Sequence, residues 1–188
     1  MKRLLTAISI VGLTACNQPG HNGSKTIDFG AFSIETPHTW QQVKASGTDS
    51  YVGRIAIDEK DTLDFDLGWY SNTLSESDPA IIDRSMLQHF KQIGQAIDTS
   101  EMIIVESRKG IDPDKYRKQN VSWDTIDSRK AKIVYPRQAG NGITGVYIDS
   151  LWVRGSDVDR FNLYGNNLKP ANEKKVLEVL QTLKFKKH

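Results

Sequence analysis

"ITGVYIDSLWVR", Ile143–Arg154, is the stretch on which the fold turns. In an extended chain Val146, Ile148 and Trp152 fall on one face and Tyr147, Leu151 and Val153 on the other, so both faces are apolar. A strand apolar on one face lies between core and water. A strand apolar on both belongs in the middle of a sheet that is covered on both sides. Working outward, "GSD" at Gly155–Asp157 turns this strand into Val158–Tyr164, and Ala131–Tyr135 leads into it through "PRQAGNG". The three form an antiparallel meander.

Further strands precede it. Phe32 and Ile34 alternate with polar neighbours until Pro37, which holds its predecessor extended and opens a turn to Trp40, an indole expected in the core. "YVGRIAID" from Tyr51 and "TLDFDLGWY" from Thr62 both have period two and form a hairpin across the short link Glu59–Asp61. In the second run Leu63, Phe65, Leu67 and Trp69 share the buried face, with Asp64, Asp66, Gly68 and Tyr70 opposite. Asp78 as N-cap and Pro79 at the first helical position predict a helix whose stripe, Ile82, Met86, Phe90, Ile93 and Ile97, packs on the sheet. Met102–Ser107 and Val121–Ile126 read as strands around the polar loop Gly110–Asn120, and Pro170–Leu183 reads as a closing helix. The predicted class is α+β, a mainly antiparallel β-sheet sandwiched by helices.

Several motifs suggest chemistry and lead elsewhere. "GNGITG", Gly140–Gly145, matches the G-x-G-x-x-G dinucleotide pattern, but that motif needs a helix after the glycines, and here a strand follows. Asp58, Glu59, Asp61, Asp64 and Asp66 offer hard oxygen ligands, yet they lack the calcium-loop pattern and alternate as a solvated strand face does. Asp64 and Asp66, with Tyr70 and Asn72 in the adjoining "GWYSN", are the candidate recognition patch for a basic partner. Ser50 in "GTDSYVG" has no nucleophile elbow around it, and His21, His38, His89 and His188 are scattered without metal-ligand spacing. No catalytic residue, metal ligand or cofactor is assigned.

The N-terminus carries its own signal. Lys2 and Arg3 precede an apolar run of about ten residues, too short to span a bilayer, followed by small residues and the sole cysteine, Cys16. The quartet "LTAC", Leu13–Cys16, resembles the lipobox of bacterial lipoproteins. That resemblance implies cleavage after residue 15 and lipid attachment at Cys16, with Asn17 implying the outer membrane. Each buried CH₂ of such an anchor contributes about 0.8 kcal/mol, and stable attachment takes more than one chain. Without residues 1–15 the 25 basic side chains fall to 23 against 23 acidic ones, a balance that gives no electrostatic case for nucleic acid. The expected organisation is a signal peptide at 1–15, a flexible tether at 16–28 and a single domain at 29–188.

Two stretches, "FSIETPHTW" (Phe32–Trp40) and "FNLYGNNL" (Phe161–Leu168) followed by a helix ending "LQTLKF" (Leu180–Phe185), are similar to the ends of PsbP-like domains, the group that includes DcrB-type bacterial envelope lipoproteins. The resemblance implies an antiparallel sheet between helices and a binding or assembly role with no shared catalytic residues. The expected function is therefore a lipid-anchored, periplasm-facing, non-enzymatic binding or assembly module with a protein partner in the envelope. The alternatives are a lipoprotein that binds and neutralises a secreted toxin and, third, an envelope hydrolase.

Overall fold

A computed structural model describes residues 23–186. Mainly antiparallel strands and two helices make it an α+β fold. The strands are β1 (Ser24–Asp28), β2 (Phe32–Pro37), β3 (Gln41–Val43), β4 (Tyr51–Ala56), β5 (Thr62–Gly68), β6 (Ala80–Asp83), β7 (Met102–Val105), β8 (Gln119–Ile126), β9 (Arg129–Pro136), β10 (Ile143–Arg154), β11 (Asp157–Asn166) and β12 (Lys184–Phe185). Helix α1 is Arg84–Gln92 and α2 is Pro170–Leu180. The main sheet has seven strands in the order β3-β4-β5-β11-β10-β9-β8; β1-β2-β12 form a second sheet and β6-β7 a parallel pair.

As the two-sided pattern of Ile143–Arg154 required, β10 is an interior strand, between β11 and β9. One face of the main sheet carries Ile55, Leu63, Phe65, Val146, Ile148, Phe161 and Leu163, which pack against Phe32 and Ile34 of β2 and Val176, Val179 and Leu180 of α2. Trp40 is buried there too. Phe32 lies at the centre of the aromatic packing, with ring centroids 4.8–4.9 Å from those of Phe29, Phe65 and Phe161. The other face of the sheet buries a smaller cluster of Leu74, Val134 and Tyr147.

Five expectations are corrected. Ser24–Asp28 is not tether: it pairs as β1 along the whole of Ser33–Pro37 in β2, so the ordered domain begins before residue 29. The helix starts at Arg84 with Asp83 as its N-cap, because Ala80–Asp83 is extended and pairs in parallel with Met102–Val105. No residue of α1 is buried; the predicted stripe is split, with Ile82 buried in β6 and Met86 and Ile93 exposed. Trp69 does not share the core face, since β5 ends at Gly68 and leaves the indole about half exposed at 47%. Val153 is 61% exposed: the pairing of β10 with β11 shifts register between Ile148 and Trp152, so that Leu151 packs in the core with Val146 and Ile148 instead of on the Tyr147 face, and Val153 is left outside it.

Candidate functional site

The alternation of β5 that sends Leu63, Phe65 and Leu67 into the core sends Asp64 and Asp66 to the opposite face. Register across the sheet then sets their neighbours. Asp64 lies between Arg54 of β4 and Tyr164 of β11; Asp66 lies between Val52 and Asn162. Arg54 Nε donates to Asp64 Oδ1 at 2.6 Å. Because both side chains are partly exposed, this pair orients more than it stabilises.

The segment after β5 crosses this face and is pinned to it. The Ser71 hydroxyl donates to the Asp66 carbonyl at 2.9 Å, and Asn162 Nδ2 donates to the Asn72 carbonyl at 3.0 Å. Asn72 Oδ1 accepts from the Leu74 amide, which helps hold Leu74 at φ +55° with its side chain buried over the sheet. Between this segment and β4 runs a groove of about 290 Å³ lined by Val52, Arg54, Asp64, Asp66, Asn72 and Tyr164. Asp66 Oδ1 is buried and receives no hydrogen bond. Burial first, then the carboxylates of Asp64 and Asp66, push the Tyr164 phenol above its ordinary value, so it stays protonated at neutral pH.

Three of the four predicted patch residues thus meet in one groove, Asp64, Asp66 and Asn72. Tyr70 does not line it; it stands on the adjoining bend with 75% of its surface exposed. Next to it the Arg160 guanidinium lies 5.4 Å from the centre of the Trp69 ring and donates to the Trp69 carbonyl at 2.6 Å. Arg54, Asn162 and Tyr164 were missed. Arg54 was legible, since a hairpin that pairs Tyr51–Ala56 with Thr62–Leu67 sets it across from Asp64. Tyr164 was not, because it reaches the site only through the placement of β11 next to β5.

Asp58 and Asp61 of the run serve another purpose. Asp61, buried, accepts from the Lys169 amide at 2.8 Å and from Asn172 Nδ2 at 2.7 Å. Asp58 accepts from Lys169 Nζ at 2.9 Å and from Asn172 Nδ2 at 2.8 Å. The β4–β5 turn therefore caps the N-terminus of α2, where negative charge is favoured and the helix has no side-chain cap of its own. Lys169 Nζ, with the amides of Lys60 and Asp61, holds the Asp58 carboxyl far below the usual carboxylate range.

"GNGITG" closes the β9–β10 connection, and Ile143 onward is strand, as the hairpin reading required. Cys16 lies outside the described residues. Among the described residues no helix is long and apolar enough to cross a membrane. No protein-family model and no curated protein matches this sequence.

Proposed function

We infer that this chain is a lipid-anchored, periplasm-facing, non-enzymatic binding or assembly module of the bacterial cell envelope, held at the membrane through Cys16 and built on a PsbP-like domain. The observation that carries the binding reading is the unpaired buried oxygen of Asp66 in a groove shared with Asp64, Asn72 and Tyr164. A buried acceptor left without a donor costs about 1–3 kcal/mol, and a partner that brings a lysine or arginine side chain into the groove recovers it. Exposed Tyr70 and Trp69 supply aromatic contact area beside it. Support for the PsbP-like reading comes from the α2 side: β11, which carries most of the "FNLYGNNL" run, lies inside the main sheet between β5 and β10, and the helix that follows packs on the same core as Phe32 and Trp40.

The same acceptor-lined groove suits a basic secreted toxin, the second reading. Crosslinking the full anchored chain in its own envelope and purifying it tests both. Asp64→Asn with Asp66→Asn should greatly reduce the captured partner, and Tyr70→Ala should weaken it. Equal recovery from wild type and the double variant would overturn the groove as the site. A captured toxin would decide for the second reading. For the anchor, a tagged fatty acid should label wild type and not Cys16→Ala; equal labelling sinks it.

A further inference from the structure

The two edges of the main sheet differ. β3 is a short edge of three residues, whereas β8 is an eight-residue edge in unbroken register with β9. Long edge strands are normally blunted by proline, a bulge or a lysine. The run Val121–Thr125 has none of these, and its two large apolar side chains, Val121 and Trp123, are about half exposed.

The outward-facing backbone groups follow from the turn. Asp127 and Ser128, both at positive φ, form the two-residue loop of the β8–β9 hairpin, so Ile126 and Arg129 are the hydrogen-bonded pair that flanks it. Counting back by alternation, Thr125, Trp123 and Val121 direct their N–H and C=O groups away from β9. The Thr125 amide is already taken by Asp124 Oδ1 at 2.7 Å. The open pairing groups are thus those of Val121 and Trp123, the same two residues whose apolar side chains are about half exposed, Trp123 with the Lys130 ammonium 4.5 Å from its ring centre.

We propose that β8 pairs antiparallel with β8 of a second copy of this chain, with Ser122 on the two-fold axis. In that register Val121 faces the partner's Trp123 and Trp123 faces the partner's Val121, each pair exchanging two main-chain hydrogen bonds. Aromatic and β-branched residues make favourable cross-strand pairs. Asp124 falls opposite the partner's Asn120, a donor, so no like charges meet. Thr125 keeps its local bond. The match is isologous, as a closed dimer requires, and it doubles the seven-stranded sheet.

Ser122 opposite the partner's Ser122 is a non-hydrogen-bonded pair, with Cα atoms about 4.5 Å apart, within disulfide range. The full-length chain with Ser122→Cys, treated in envelopes with diamide, should shift to the mass of two chains. Wild type, whose only cysteine is Cys16, is the blank. Thr125→Cys should stay at the mass of one chain, since in this register the two positions lie about 20 Å apart along the strands. Adding Trp123→Lys to Ser122→Cys should abolish the two-chain band while the thermal melt stays that of the folded protein. A Ser122→Cys chain that remains single, a Thr125→Cys chain that crosslinks equally well, or a disulfide to a different protein would each overturn the proposal.

Discussion

Gly145 lies opposite Tyr164 in the β10–β11 pair, and a Cβ built on it would come 2.5 Å from the Leu163 carbonyl oxygen and 2.5 Å from Tyr164 Cβ. The first of these is main chain and cannot swing aside. Gly145→Ala should lower unfolding stability by about 1–3 kcal/mol, read as a lower urea midpoint at unchanged slope, while Ser156→Ala in the exposed turn should move it by no more than about 0.5 kcal/mol. Equal midpoints for the two variants would contradict this packing role. In the sequence Gly145 could be taken for the last glycine of a dinucleotide motif. Its actual reason, the close approach of a neighbouring strand, depends on a residue that stands nineteen positions later in the chain and pairs with it only across the sheet.

The two helices separate at the scale of the element. Buried Val176, Val179 and Leu180 join α2 to the main core, and Asp58 and Asp61 secure its first turn. Helix α1 has no fully buried residue, only Leu87 and Phe90 partly covered. Leu180→Ala should therefore cost about 2–5 kcal/mol, whereas Ile93→Ala should fall within about 0.5 kcal/mol, both by chemical denaturation. Amide exchange should show α1 opening well before the main sheet. Protection of α1 equal to that of β10 would refute this. The helical period read from Ile82 to Ile97 was only partly realised. Pairing of Ile82 with Ile104 takes the first residue into a strand, and Gly94 at φ +72° lies just beyond the Ile93 C-cap. A local period cannot reveal a partner strand that returns some twenty residues later.

At the scale of the whole molecule, carboxylates tie together segments far apart in sequence. Lys169 Nζ first, then backbone amides, depress Asp58. Burial pushes Asp127 up but is outweighed by the Phe185 amide, Arg129 and Lys184, for a net depression. The Tyr147 hydroxyl, donating at 2.7 Å, and Arg160 depress Asp149. A carboxyl whose folded value lies below its unfolded one contributes stability that is fully present above the unfolded value and is lost as pH falls toward the folded one. Thermal midpoints should thus hold level from about pH 5 to pH 8 and drop below about pH 4, with Asp58→Asn starting lower and dropping less. A midpoint unchanged down to about pH 2 would show that these ties do not act in the folded state.

The sequence by itself determined what depends on neighbours along the chain: the alternation of β5 and β10, the hairpins around "GSD" and "EKD", the burial of Trp40 and the α+β class. These follow from side-chain period and turn chemistry, which are local. Only the tertiary structure decided which acids cap α2 and which line the groove, that Tyr164 belongs beside Asp64, that α1 stays out of the core, and that β8 ends the sheet with Val121 and Trp123 about half exposed. Each of these depends on strand order and register. Those are fixed by contacts between residues tens of positions apart, and alternation along one strand carries no information about which strand lies next to it.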